Sequence, residues 1–369
     1  MAHMKIALVH DFLSQNGGAE QVLSVLHEMY PEAPIFCLFA ERDRFPSLAT
    51  ADIHESFIAS LPGGRRHYQW YLPLMPLATE QYDLSEFDLI ISSVSAFAKG
   101  IITRPDALHL CYCHTPTRYL WSDTHSYVEG LPRNRLIKLL VPPVLSWLRV
   151  WDRAAADRVD LFIANSNTVR DRIKKYYRRD SEIVHPPIDV SRFYISPNAP
   201  VGNYFLAGGR LVAYKKFDWV IEACNRLRAP LKIFGTGVIE KELRALAGPT
   251  IEFVGRVSDD EQKKLYAECI AYIQPQVEDF GMTAVEAMAS GRPVIALPRG
   301  GSTETIVEGV TGSFMKYDGW EGVLDAIVHF DHTRFDPATI RAHAHTFSRE
   351  IFKEKIQAII TRATSHDHY

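Results

Sequence analysis

Short apolar runs alternate with amphipathic stretches along most of this chain. Runs at 5–9, 34–39, 88–92, 108–113 and 160–164 predict buried strands, and the stretch at 19–29 has the spacing of a helix. The pattern restarts with runs at 203–207, 231–234, 250–254, 271–275 and 293–297, and with helical stretches at 217–227 and 282–290. Strands alternating with helices predict an α/β chain built on parallel sheets, with ligands at the carboxyl ends of the strands. Between the two series, residues 184–200 are dense in proline and polar residues and have no periodicity, as expected of an interdomain connection. The division is therefore 4–190 and 200–345. Beyond it a helix is expected at 347–360, with Ile351, Lys355 and Ile356 at helical spacing. The polar tail after it, including His366 and His368, carries no assigned role.

Length agrees with two domains, since 369 residues exceed what one core normally encloses. The 47% apolar and 23% charged fractions are those of an ordinary globular protein, and a net charge of −3 argues against a nucleic-acid partner. Five cysteines without regular spacing do not form a disulfide framework, and a reducing, cytoplasmic setting fits them. No signal peptide is read, and no apolar run approaches the ~18 residues of a membrane span. Met1-Ala-His, before a second methionine at Met4, resembles a cloning remnant and stays outside the fold reading. Two segments suit an anionic membrane surface. Residues 61–75 mix arginine with aromatics, and 133–149 carry four basic residues and no acid. Arg65, Arg66, Arg133, Arg135 and Lys138 would make that contact. Alternatively, the second segment is a helix packed through Leu139, Val141 and Leu145 and broken at Pro142-Pro143.

The candidate chemistry centres on Gln276-Val-Glu-Asp-Phe-Gly-Met-Thr-Ala-Val-Glu286. A strand here delivers a loop into a helix start, where Gly281 allows close backbone approach and unpaired amides favour phosphate. Glu278 falls on the loop and Glu286 about one turn into the helix. Carboxylates repel phosphate, so the pair is best explained as accepting hydrogen bonds from sugar hydroxyls, which points to a nucleotide sugar. Taken alone, the pair equally fits two solvated helix-end charges. Arg210 leaves a strand through Gly208-Gly209, and Lys216 stands at the entrance of the next helix; a guanidinium and an ammonium there suit a diphosphate, while Lys215 reads as surface. Gly17-Gly18, ahead of the first helix, would let amides reach a diphosphate or simply form a loop. His114, in His114-Thr-Pro-Thr-Arg-Tyr-Leu-Trp121, is placed at a strand end where an imidazole meets a hydroxyl or a phosphate oxygen.

Together these residues resemble the retaining glycosyltransferases of family 4, over nearly the whole chain. The resemblance implies a GT-B fold, two Rossmann-like doubly wound parallel-sheet domains with an interdomain cleft, and a helix at 347–363 crossing back to the first domain. It also implies roles. Glu278 would hold donor-sugar hydroxyls, Glu286 the ribose, Arg210 and Lys216 the diphosphate, and the amides of Phe280, Gly281 and Met282 the sugar and phosphate. Gly17 and Gly18 would approach the diphosphate, Val257 and Ser258 the nucleobase, and His114 the reacting sugar. The His-Thr-Pro-X-Arg-Tyr-X-Trp form is similar to GDP-mannose-dependent mannosyltransferases of polysaccharide and lipopolysaccharide assembly. The implied partners are a nucleotide-sugar donor and a glycan or lipid-linked acceptor; the basic, aromatic segments add an expected peripheral contact at the inner face of the cytoplasmic membrane. No cofactor and no metal are expected, in keeping with the lack of an Asp-X-Asp motif. Alternatives are a UDP-sugar donor, and an epimerase or hydrolase on the same fold. A dinucleotide oxidoreductase is disfavoured because Asn16-Gly17-Gly18 is not a Gly-X-Gly-X-X-Gly fingerprint.

Overall fold

A computed structural model of the chain describes residues 4–15, 17–124, 135–196 and 202–365. It divides into two compact units, Met1–His185 with Lys353–Tyr369, and Pro186–Phe352. In the first, strands β1 (Ile6–His10), β2 (Ile35–Cys37), β3 (Ile53–Glu55), β4 (Leu89–Val94), β5 (Leu108–Cys113), β6 (Leu161–Ala164) and β7 (Ser181–Ile183) form one parallel sheet in the order 3-2-1-4-5-6-7. Helices α1 (Gly18–Met29), α2 (Arg135–Ala155) and α3 (Asn167–Tyr177) belong to this unit. Every residue of β4 is buried, as in a sheet covered on both faces, which is why the strand reads as a continuous apolar run until Ser92 and Ser93. Cys111 and Cys113 are buried in β5, and all five cysteines are free and buried.

The second unit repeats the plan. Strands β8 (Phe205–Gly208), β9 (Leu231–Phe234), β10 (Ile251–Gly255), β11 (Tyr272–Gln274), β12 (Val294–Ala296) and β13 (Gly312–Phe314) are parallel in the order 10-9-8-11-12-13. Its helices include α4 (Phe217–Leu227), α5 (Asp259–Glu268) and α6 (Met282–Ala289). In each sheet the strand order reverses once, between β1 and β4 and between β8 and β11. Such reversals open a crevice at the carboxyl ends of the strands.

Several expectations change on the structure. The stretch after Pro186 is fastened to the second unit: Ile188 donates to the Phe347 carbonyl at 2.9 Å, and Ile188, Val190 and Phe193 are buried. Helix α2 continues through Pro142 and Pro143, because burial of Leu145 and Leu148 outweighs the hydrogen bonds that the prolines forfeit. Leu139, expected inside, is 70% exposed. Arg65 is held in a two-pronged ion pair with Glu55, at 2.5 and 2.7 Å, so it is a structural cation of this unit. Arg133 lies outside the described residues. The terminal helix, α7 (Arg349–Ser365), buries Phe352, Ile356, Ile359 and Ile360, while Lys355 is exposed.

Candidate functional site

In the second unit the residues singled out from the sequence gather at the β8/β11 reversal. Gly209, with φ +121°, turns the chain out of β8 so that Arg210 follows as an exposed residue. A 3-10 turn, Ala213–Lys215, then brings the Lys215 ammonium onto the Glu278 carboxylate. The two side chains are only 12% and 16% exposed. Burial is the largest single influence and disfavours the charged ammonium, but the Glu278 carboxylate, Tyr214 and Tyr272 together outweigh it and hold the Lys215 pKa above the ordinary lysine value. Gln276 donates to the same Glu278 oxygen at 3.0 Å. The loop backbone is pinned as well, since the Glu278 carbonyl accepts from Gly301 N–H at 2.9 Å.

Spacing alone reads Lys215 as surface and favours Lys216. The structure gives Lys216 a left-handed backbone, φ 55°, at the start of α4, with its ammonium 5.3 Å from the Trp219 ring centre. The signal for Lys215 lay in the turn: a residue forced into the left-handed region redirects the side chain before it, and nothing in the spacing fixes which lysine takes that position.

Gly281 caps α6 with φ +92°, and a Cβ there would lie 2.8 Å from the Gln274 side chain, so the loop-to-helix junction requires glycine. The first amide of α6, at Met282, has no helix carbonyl a turn earlier to pair with, which is the usual anion-favouring end of a helix, whereas Ala284 N–H already donates to the Gly281 carbonyl at 3.0 Å. Phe280 is buried edge-on against Phe347, with ring centres 5.5 Å apart. One turn in, Glu286 is buried and accepts from the Tyr266 hydroxyl at 3.1 Å. Burial pushes its carboxyl up to about 7, with the Tyr266 hydrogen bond opposing the shift.

Ser258 and Val257 follow β10, but both have structural work. Ser258 starts α5 through a capping box: its hydroxyl accepts from Glu261 N–H at 3.3 Å and donates to the Glu261 carboxylate at 2.8 Å. Its backbone N–H donates to the same carboxylate at 2.8 Å, and its carbonyl accepts from Gln262. Val257 packs, half-buried, against the core.

In the first unit, His114 follows β5 and is buried. Its N–H donates to the Val94 carbonyl at 2.8 Å and its carbonyl accepts from Asn165 at 2.9 Å. Its Nε2 lies 2.8 Å from the Ser93 hydroxyl. Burial, with the nearby His10 charge, lowers the His114 pKa to about 3, so the ring is neutral at ordinary pH. Gly17 is the cap of α1 and its N–H donates to Glu20 at 3.0 Å, while Gly18 is the first residue of that helix. The motif after His114 is structural at three points: Thr117 and Trp121 both donate to Asp152, at 2.8 Å each, and Arg118 pairs with Asp123. Glu20, buried beside Gly17, has its carboxyl raised, with burial the main cause and the His10 charge opposing.

The family descriptions that match are Glycosyltransferase Family 4, over residues 16–192, and Glycosyl transferases group 1, over residues 202–330. The alpha-1,3/1,6-mannosyltransferase ALG2 of Mus musculus is 23% identical over 327 residues, 78% of this chain and 75% of that protein. A GDP-mannose-dependent alpha-mannosyltransferase of Mycolicibacterium smegmatis is 34% identical over 121 residues, and the match spans only 32% of either chain. Among solved structures, Anabaena Alr3699/HepE, crystallised with UDP and glucose, superposes over 97% of this chain and 100% of its own with TM-score 0.73 at 18% identity.

Proposed function

The chain belongs to the group 1 glycosyltransferases of family 4, with their GT-B fold, and from that premise we propose that it transfers mannose from GDP-mannose, with retention, to a glycan or lipid-linked acceptor. One observation carries the proposal: the carboxylate of Glu278, held by Lys215 and Gln276 on the loop that enters α6, has its second oxygen unengaged among the described residues. A partly shielded acid fixed on one side and open on the other is suited to a ligand's hydroxyl pair. The mannose donor is supported by the two mannosyltransferase relatives.

In this reading Glu278 accepts hydrogen bonds from the donor sugar and Glu286 from the ribose. Arg210 and a lysine oppose the diphosphate charge as it grows on the departing nucleotide. We assign that lysine role to Lys215 and retain Lys216 as its control. The amides of Phe280, Gly281 and Met282 face sugar and phosphate, Gly17 and Gly18 approach the diphosphate, and Val257 with Ser258 borders the base. His114, neutral, serves as a hydrogen-bonding group for the reacting sugar. The bond from the anomeric carbon to the phosphate oxygen breaks as the acceptor oxygen attacks the same face, and the acceptor proton passes to the departing phosphate. The transfer needs no divalent ion, because side chains and amides supply the counter-charge; activity therefore survives EDTA.

The test offers GDP-mannose, UDP-glucose and other nucleotide sugars with and without acceptor, and reads the anomeric configuration of the product by NMR. Retained linkage from GDP-mannose supports the proposal. Turnover of UDP-sugars alone moves the donor, and product without any acceptor indicates an epimerase or hydrolase. We further propose peripheral contact with an anionic membrane at the cytoplasmic face. No helix among the described residues is long and apolar enough to cross a membrane. The supporting observation is that Trp70, 73% exposed, and Val150, 71% exposed, lie on segments packed on one core cluster, with Arg66 exposed nearby in sequence. Sedimentation with anionic vesicles at low salt, lost in Trp70→Ser with Arg66→Ala, is expected; no sedimentation of the unaltered chain ends this part.

A further inference from the structure

We propose that Ser93 is a positioning residue whose hydroxyl fixes the ring and the tautomer of His114, so that the imidazole presents its Nδ1–H to the substrate. The inference rests on the functional reading above for its catalytic consequence, and on geometry alone for the tautomer.

The strand order places these groups together. His10, at the end of β1, is in register with Ser93 on β4, and Val94 is in register with Cys113, the residue before His114. These are the two strands of the first unit's reversal and their neighbour, so the line His10, Ser93, His114 runs where the fold opens for a ligand. Ser93 is fully buried. Its carbonyl accepts from His10 Nδ1 at 3.0 Å, so that nitrogen carries a proton. Its hydroxyl lies 2.8 Å from His114 Nε2 and meets no other polar group among the described residues.

A buried hydroxyl with one acceptor in reach donates to it, because the reverse arrangement leaves an O–H unpaired in the interior. Nε2 of His114 is then the acceptor, and the single proton of the neutral ring resides on Nδ1. The backbone of His114 is already held on both sides, by Val94 and Asn165. Ring rotation and tautomer are the freedoms left, and Ser93 removes both. Nothing in the catalytic step requires Ser93 to touch substrate. It acts through His114.

The experiment uses the full chain labelled with 15N-histidine, the His114 signals being assigned by their loss in His114→Gln. Two-bond proton–nitrogen spectra of the unaltered chain show the Nδ1–H form. Ser93→Ala shifts His114 toward the Nε2–H form, and Ser93→Thr, which restores a hydroxyl, keeps the original one. With GDP-mannose as donor, Ser93→Ala lowers kcat about ten-fold with donor KM unchanged, the scale typical of removing a partner that orients a working group, and Ser93→Thr restores it. An Nε2–H form in the unaltered chain overturns the proposal, as does an unshifted spectrum in Ser93→Ala or an unchanged kcat in that variant. The spectra need no turnover, so a chain that transfers no sugar refutes the functional reading while the tautomer still decides the role of Ser93.

Discussion

Two lysine–carboxylate pairs, one in each unit, use the same chemistry to opposite ends. Lys99 and Asp152 are 0% and 1% exposed and 2.5 Å apart. Both Asp152 oxygens are occupied, one by Lys99 and Thr117 and the other by Trp121 Nε1, and the ammonium also donates to the Ala96 carbonyl and lies over the Tyr177 ring. That pair is closed. Lys215 and Glu278 retain some exposure, and one carboxylate oxygen carries both donors while the other meets none among the described residues. A buried charge pair whose every valence is satisfied within the chain serves the fold, and one left with an unfilled position on a loop is available to a ligand.

The comparison is broken most severely by truncating each acid in turn. Asp152→Ala leaves Lys99 buried without a counter-charge, which costs about 3–5 kcal/mol. We expect a loss of roughly 10 °C in Tm by calorimetry, partly recovered when Lys99→Met removes the stranded charge. Glu278→Ala leaves the largely buried Lys215 without its counter-charge and should cost less Tm than Asp152→Ala, yet lower kcat/KM by at least ~100-fold, the scale of losing a group aimed at developing charge or its sugar. Lys215→Ala should follow Glu278→Ala, with Lys216→Ala near the unaltered rate. If Lys216→Ala is the inactive variant and Lys215→Ala the active one, the reassignment of the diphosphate lysine is wrong.

Glu286 falls between the two pairs, buried like Asp152 but, among the described residues, with a single hydroxyl partner like an unfinished site. Burial raises its carboxyl to about 7, from the 4.5 ordinary for glutamate. Between those values the folded chain retains a proton that the unfolded chain has released, so stability falls as pH rises from about 4.5 to about 7 and is level above. Glu286→Gln should therefore match the unaltered chain near pH 4.5 and exceed its Tm at pH 8. Donor binding has the opposite slope: an acid that accepts from a ribose diol works ionised, so donor affinity should rise as pH passes 7, and the glutamine variant should lose that rise. A flat affinity profile in the unaltered chain would remove Glu286 from the binding site.

Much of this was legible in the chain itself. Paired parallel sheets follow from alternating apolar runs, because strands covered on both faces tolerate few polar residues, and the loop-to-helix element followed from Gly281 between two acids. The strands left unread, β3, β7 and β13, are edges of three residues each, too short to make a run. The choice between Lys215 and Lys216 was not readable, since it depends on one left-handed residue. Nor was Ser93: a serine at a strand end is common, and its meaning comes from which neighbours β1 and β5 bring alongside. Pro142-Pro143 misled because local propensity yields to the burial of Leu145 and Leu148.

Ser258 sharpens the contrast at its smallest scale. The family resemblance implies a place for it at the nucleobase, yet its hydroxyl, N–H and carbonyl are all engaged in starting α5. A polar residue committed at every atom behaves like Asp152, and its removal should register in stability before binding. Ser258→Ala is expected to cost about 1 kcal/mol, the usual effect of losing a helix cap, and to leave the preference between GDP- and UDP-sugars where it was. Ser258→Asp, which also caps, should restore the stability. Denaturant melts and donor competition on the same three proteins separate the cases: a change in base preference with unchanged stability would mean that Ser258 leaves its capping box to meet the nucleotide, and that the closed arrangement seen here is not the one that binds.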